Sequence, residues 1–143
     1  MATVSIDRAP EAIGRMLRRR ISEVMRLTGQ EANGAAKRAS PIWTGAYVTS
    51  WKLTRGRIDT AYVPQPQPWQ SNAGAITSTT PQPSALPPSV SLDPVYVTNS
   101  SDYAKLVERG TPTVPGGAVA AQAVDAARAY IPIAVGKVRT LWA

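Results

Sequence analysis

The chain has 143 residues, with 16 lysines and arginines against 9 acidic residues, and it contains neither cysteine nor histidine. This length fits one domain, residues 1–143, which can bury a core without cross-links. The missing residue types exclude disulfides, thiolate metal sites and Ser-His-Asp or Cys-His catalytic centres. The positive balance favours phosphates, acidic protein surfaces or anionic membranes as neighbours, or it is simply a solvated basic surface.

The N-terminus, MATVSIDRAPEA, lacks the apolar run of a signal peptide. No stretch of the sequence reaches the length of a membrane span. We therefore expect the chain to be made in the cytosol and to stay there, without contacting a membrane, until it joins a partner.

The first part of the sequence predicts one long helix from Pro10 to Ala39. Pro10 suits a first helical position, and Glu11 follows where the helix dipole favours an acid. Large apolar residues recur at helical spacing in one stripe, which alanines continue; they are Ile13, Leu17, Ile21, Val24 and Leu27. The helix should end by Ser40, because Pro41 disfavours helical geometry in the residue before it.

Two strands are predicted, and a proline-rich segment lies between them. After a turn at 41–45, residues 46–57 alternate as a half-buried strand does, with Trp51 in the core. A turn or bulge at 55–57 precedes residues 58–63, which we expect to continue the sheet. Residues 95–99 predict the second strand.

Residues 64–94 differ in composition from the rest of the chain, because they hold eight prolines and a single charged residue, Asp93. Proline removes backbone donors and so disfavours a regular ladder. We expect an extended arm that orders against neighbouring subunits, or a solvated loop. Trp69 within it predicts an anchor in a partner pocket, and the alternative is that Trp69 folds back onto its own domain.

The C-terminal third predicts two helices. Residues 103–109 should form a short helix with Tyr103, Leu106 and Val107 directed inward, and Gly110 should end it. Residues 118–130 predict an alanine-rich helix that Pro132 breaks or bends, so that residues 133–142 form another short helix or a docking tail. The fold class is therefore α+β: a long N-terminal helix, a small antiparallel sheet, a C-terminal helix and the proline-rich arm.

No constellation in the sequence predicts catalysis, a metal or a cofactor. The glycines of residues 110–117 lack the Gly-Lys-Ser/Thr ending of a phosphate-binding loop. Asp102 and Glu108 are better explained by a helix cap and a surface pair than by an acid/base pair. We therefore expect a protein that is not an enzyme and that uses no cofactor.

Arg18, Arg19 and Arg20 form the densest basic run, near Arg15 and Arg26. Three consecutive helical positions span most of a turn, so at least one of them must lie near the apolar stripe. Either these arginines form a solvated face, or they contact acids on another subunit or the phosphates of DNA.

The segment SPIWTGAY at residues 40–47 follows the long helix and precedes a strand. It resembles the P-x-x-T-G-x-L motif of tailed-bacteriophage neck and tail-completion proteins through Pro41, Thr44 and Gly45. The sequence departs from the family at residues 46–47, Ala-Tyr, where a small residue followed by leucine is commoner.

The segment YAKLVERGT at residues 103–111 resembles the Y-A-x-x-V-E-x-G-T motif of the same family through Tyr103, Glu108 and Gly110. The order of helix, T-G turn, sheet, second motif and helix covers most of the chain outside residues 64–94. Residues 114–118, VPGGA, lack the aromatic of the Pro-Phe-Leu-Pro-like motif that precedes the family's last helix.

The resemblance implies a homo-oligomeric ring, commonly of six copies, at the neck of the virion. Such a ring completes the tail, joins it to the head and passes DNA through its lumen. Its implied partners are portal-side connector or head-completion proteins and tail terminator or tail-tube proteins. We expect interface contacts at Arg18, Arg19, Arg20, Trp69, Glu108 and Arg109.

The alternative belongs to a different class of protein: a basic module that binds nucleic acid without sequence preference through the helix around residues 15–26. Against this alternative, the sequence contains no recognised DNA-binding motif and no aromatic residues interleaved with the arginines. Any contact with genomic DNA is expected to be non-specific.

Overall fold

The computed structural model describes residues 9–40, 47, 50–60, 85–101, 104–110, 112 and 116–141. In chain order these ranges hold helix α1 (Ala9–Ala39), strands β1 (Trp51–Arg55) and β2 (Val95–Asn99), the short helix α2 (Ala104–Arg109) and helix α3 (Val119–Leu141). A long N-terminal helix, a two-stranded antiparallel sheet and a C-terminal helix confirm the predicted α+β class.

Helix α1 ends where the sequence predicted, at Ala39. The Ser40 hydroxyl donates a hydrogen bond to the Ala36 carbonyl at 2.6 Å, and the Ser40 N–H donates to the Lys37 carbonyl at 3.3 Å. Carbonyls in the last turn of a helix have no partner within the helix, so these two bonds satisfy groups that the end of α1 would otherwise leave open.

The face of α1 that packs against the rest of the chain consists of small residues. Its buried positions are Ser22, Gly29, Ala32, Asn33 and Ala36. A Cβ atom at Gly29 would lie 2.5 Å from Val95 Cγ1 and 3.3 Å from Leu53 Cδ1. The absence of a side chain at Gly29 therefore lets the helix and the sheet approach closely, which explains a residue that weakens the helix intrinsically.

The strands pair antiparallel, with Trp51 opposite Asn99, Leu53 opposite Val97 and Arg55 opposite Val95. This confirms the strand predicted at 95–99. The first strand begins later than predicted, because Tyr47 is helical and the Ser50 N–H donates to the Tyr47 carbonyl in a turn at 3.2 Å. At its other end the predicted turn is present, since Gly56 has a φ of +85°. The Gly56 N–H donates to the carbonyl of Pro94 at 2.8 Å, so the turn stays joined to the end of the proline-rich segment.

Residues 58–60 do not continue the sheet, and that prediction is wrong for them, while residues 61–63 lie outside the described ranges. Asp59 instead crosses the outer face of the sheet, where Lys52 is buried. Lys52 Nζ lies 3.3 Å from Asp59 Oδ1, and the Thr98 hydroxyl donates to the Asp59 carbonyl at 3.4 Å. A buried ammonium group needs a nearby acid, and residue 59 supplies one.

Gly110 ends helix α2 as predicted, in the left-handed conformation at a φ of +79°. The predicted inward position of Leu106 is wrong, because its side chain is 55% exposed. Val107, which was also predicted to face inward, packs against the core.

Helix α3 runs unbroken through Pro132, so the predicted break there, with a separate helix or tail after it, is wrong. Pro132 is exposed, and the carbonyl that loses its hydrogen bond to the missing N–H can be hydrated on the solvent side of the helix. Beyond the proline, Ala134 and Val138 are buried and hold the helix in place.

The core joins the end of α1, the start of β1 and the start of α3. Its buried members are Ala36, Tyr47, Trp51, Val119 and Ala123. The predicted core position of Trp51 is confirmed, because only 4% of it is exposed. Its indole N–H donates to the Ser40 hydroxyl at 2.8 Å, and its ring meets the ring of Tyr47 edge to face, with 5.8 Å between the centroids.

Candidate interaction site

The first half of α1 concentrates positive charge. Between Ala9 and Ile21 there are four arginines, at 15, 18, 19 and 20, against one acid, Glu11. Arg15, Arg18 and Arg19 are exposed, whereas Arg20 is half-buried. This part of the helix therefore carries a net positive charge at neutral pH.

The next acid along α1 is already paired within the helix. Arg26 Nε donates to Glu23 Oε2 at 2.8 Å. The hydrogen bond from Arg26 lowers the pKa of Glu23, and the same bond raises the pKa of Arg26. The Glu23–Arg26 pair is neutral overall, so the helix from Ala9 to Arg26 keeps its net positive charge.

The apolar residues of this half of α1 face away from the body of the protein. Ile13, Met16, Leu17 and Ile21 are between 41% and 52% exposed. At 100° of rotation per residue, the centre of this group lies about 140° from the centre of the buried small-residue face. We call these four residues the outer face of α1. The predicted apolar stripe is present, but its first part is not what packs against the core.

The last residues of the proline-rich segment are fixed to α1 of the same chain. The Ser22 hydroxyl accepts the Ser91 N–H at 2.9 Å and donates to the Ser89 carbonyl at 3.3 Å. Arg55 donates to the Ser89 carbonyl at 3.1 Å and to the Ser22 carbonyl at 3.2 Å. We call Ser22 and Arg55, together with Gln30, the arm clamp.

Gln30 completes the arm clamp. Its side-chain oxygen accepts the Leu86 N–H at 3.3 Å, and Leu86 is buried. The described end of the segment, residues 85–94, thus lies on its own domain. The arm clamp was not predicted from the sequence, in which the one available signal was a serine at position 22, on the same side of the helix as the small residues.

Glu108, which we expected at an interface, is engaged within the chain. Its carboxylate accepts the N–H groups of Ala120 and Ala121 at 2.8 and 3.3 Å. Amides in the first turn of a helix have no helical acceptor, so Glu108 caps α3 from a distance of twelve residues along the chain. Arg109 beside it is exposed.

The same corner explains a glycine. The Gly117 N–H donates to the Val107 carbonyl at 2.7 Å, which draws the chain back against α2. A Cβ atom at Gly116 would lie 2.5 Å from the backbone carbonyl oxygen of Glu108. Residue 116 therefore lies at a close backbone approach that only glycine allows.

Several predicted site residues lie outside the described ranges; they are Pro41, Thr44, Gly45, Trp69 and Tyr103. Among the residues of the two motifs, the structure places Glu108 and Gly110. Arg18, Arg19 and Arg20 lie together on the first half of α1, with Arg18 and Arg19 exposed and Arg20 half-buried, whereas the Glu108 carboxylate caps the start of α3.

The described part of the chain shows little that could carry chemistry. It holds no group of three acidic side chains that could bind a metal ion, and none of its helices is long and apolar enough to cross a membrane. A groove of about 430 Å³ between α1, the sheet and α3 is lined by apolar and small residues, among them Met25, Val97 and Val124.

Known proteins provide no further assignment. No family model matches this sequence, and neither a curated protein nor a solved structure shows significant similarity to it.

Proposed function

We propose that this chain is a structural virion protein that forms a homo-oligomeric ring at the neck of a tailed bacteriophage. The ring completes the tail, joins it to the head and passes DNA through its lumen. The proposal starts from the two motifs, which carry the resemblance to neck and tail-completion proteins. An α+β protomer with a small sheet packed by helices is consistent with it.

The observation that supports the proposal most is the amount of apolar surface left on a single copy. Among the described residues, twelve large apolar side chains are more than 40% exposed; they are Ile13, Met16, Leu17, Ile21, Ile58, Val90, Leu92, Leu106, Val124, Ile131, Ile133 and Val135. Apolar patches of this kind on small proteins mark interaction surfaces. Three of them, at 124, 131 and 135, form a stripe along α3 at helical spacing.

The sheet offers a second contact surface. It has two strands within the described residues, so each strand has one edge without a ladder partner there. Two strands are marginally stable alone, and an open edge accepts a strand from another chain. Adding a neighbour's segment to this edge is one way to build the head-to-tail contact that a closed ring requires.

Ring formation can be tested on the α3 stripe. Ile131→Asp places a charge on exposed apolar surface, so the subunit should fold while subunit contacts weaken. We expect native mass spectrometry to find closed rings for the wild type and smaller species for the variant. In phage carrying the variant, electron microscopy should find unjoined heads and tails. Normal numbers of joined particles, or a neck reconstruction with one copy of this chain, would contradict the proposal.

The alternative, a non-specific nucleic-acid-binding module, has one observation in its favour, the exposure of Arg15, Arg18 and Arg19. Phosphates form favourable ion pairs with arginines, but they make no apolar contact with the aliphatic residues on the same surface. Affinity for duplex DNA that falls steeply with salt, in a chain that forms no ring, would favour the alternative.

A further inference from the structure

We propose that the outer face of α1 is a docking site for an acidic amphipathic helix of a different polypeptide. The site consists of Ile13, Met16, Leu17 and Ile21 with the arginines beside them. It is separate from the α3 stripe and the sheet edges that we assign to ring contacts, so it goes beyond the proposed function.

The geometry of the outer face fits a helix. Its residues recur at three- and four-residue spacing and span about 12 Å along α1, which is slightly more than two turns. All four are 41–52% exposed, so their side chains are available without local unfolding. An apolar stripe of this width is what a partner helix covers when it packs along another helix.

The charges define the chemistry of the partner. At 100° per residue, Arg18 lies about 60° beyond the Ile21 edge of the outer face, and Arg19 lies about 60° beyond the Met16 edge. Arg20 falls within the face itself. A partner with a mainly apolar stripe, carboxylates on both flanks and one carboxylate opposite Arg20 would match this arrangement, and bidentate arginine–carboxylate pairs would orient it.

A second copy of this chain does not match. Pairing α1 with α1 through the outer faces would set arginines against arginines, which disfavours binding. The other long helix, α3, carries one acid, Asp125, against Arg128, Lys137 and Arg139. Neither long helix of the described chain therefore has an apolar stripe with acidic flanks, which favours a different polypeptide as the occupant.

The test uses the full chain and a synthetic probe. The probe is an 18-residue fluorescent peptide with leucines on one helical face and glutamates on both flanks, and the reference is the same composition scrambled so that no face forms. We expect fluorescence anisotropy to show saturable binding of the amphipathic peptide, and affinity for the scrambled peptide that is weaker by at least about tenfold.

Two pairs of variants locate the site. Ile13→Asp should weaken peptide binding by about tenfold or more, while Ile133→Asp on α3 should leave it unchanged; both wild-type side chains are 52% exposed. Arg18→Glu with Arg19→Glu should abolish binding, while Arg128→Glu with Arg139→Glu should not. Circular dichroism checks that every variant stays folded.

Three results would overturn the docking site. The first is equal binding of the two peptides, and the second is equal loss in the α1 and α3 variants. The third is binding of duplex DNA or of phosphatidylserine vesicles, through the same arginines, by a chain that ignores the amphipathic peptide. Native mass spectrometry of Ile13→Asp separates this idea from the ring: we expect rings to persist, and their loss would assign the outer face to subunit contacts instead.

Discussion

The two halves of α1 differ both in the residues that form their faces and in how deeply those faces are buried. From Ser22 to Ser40, serine, glycine and alanine positions are buried against the sheet and α3. From Ala9 to Ile21, large aliphatic residues are half-exposed and arginines surround them. The half with the stronger apolar pattern is thus the less buried one.

This contrast shows that an apolar stripe predicts a contact surface but does not distinguish packing within the chain from binding to another molecule. Small residues allow a helix to approach its own sheet closely, as Gly29 does at Val95. Large aliphatic residues that the chain itself leaves exposed are available to another molecule.

The largest effect on stability is expected at Trp51, which packs against the C-terminal half of α1. Trp51→Ala removes a side chain that is 4% exposed and also its hydrogen bond to Ser40. The free energy of unfolding should fall by about 3–5 kcal/mol, measured by urea unfolding. A fall below about 1 kcal/mol would mean that the end of α1 is not held by this core.

Alkaline pH tests the same packed region through Tyr47. Burial, with a contribution from the charge of Glu108, raises the pKa of Tyr47 from 10.0 to about 12. The unfolded chain therefore loses its proton first, and the stabilisation is lost as pH rises from the unfolded to the folded pKa. The free energy of unfolding should fall by about 2–3 kcal/mol over that window.

Tyr47→Phe isolates this effect, because phenylalanine does not titrate. As pH rises through the window, the wild type should lose about 2–3 kcal/mol of unfolding free energy relative to the variant. A difference that is constant with pH would show that Tyr47 is accessible to water in the folded chain.

A moderate and local effect is expected at the arm clamp, where the two halves of α1 meet. Ser22→Ala removes the acceptor of the Ser91 N–H. Hydrogen exchange at this amide should speed up about fivefold, as expected for loss of about 1 kcal/mol of local stability. The amide of Val97 in β2 serves as the internal control, and equal acceleration there would indicate global destabilisation instead.

The smallest effect is expected on the outer face. Leu17→Ala should change the free energy of unfolding by less than about 0.5 kcal/mol, since the side chain is 48% exposed and alanine favours helix. Val138→Ala on α3 is the matched core change, because Val138 is 2% exposed, and it should be clearly more destabilising. An equal fall in the free energy of unfolding for the two variants would show that the outer face of α1 is packed as tightly as the core.

Local rules predicted the elements whose limits are set by local chemistry. Helix α1 ends at Ala39, as the prediction from the sequence had it, a glycine at 110 ends α2, and the alternation around Trp51 correctly placed that residue in the core. Such features depend on backbone geometry or on one side chain, so a single sequence is sufficient to find them.

Tertiary features escaped prediction. The arm clamp joins Ser22 to Ser89 and Ser91, which lie 67 and 69 positions further along the chain, and no local pattern indicates such contacts. The helix passes Pro132 because packing on both sides of it outweighs one missing hydrogen bond. Of the candidate site, the arginine run was visible in the sequence, but the outward direction of Ile13 and Leu17 depends on which face of α1 the sheet covers.

The hydrogen bond between Gly56 and Pro94 has consequences for the order in which the chain folds and for the length of the segment between these residues. Pairing β1 with β2 closes residues 56–94 into a loop, whose entropy costs about 3 kcal/mol before any strand contact is gained. The sheet should therefore form late, on a helix that is already present. Because closure depends on the logarithm of loop length, halving or doubling this segment changes the cost by only about 0.6 kcal/mol. Natural variants can therefore lengthen or shorten it with little change in the stability of the fold that carries it.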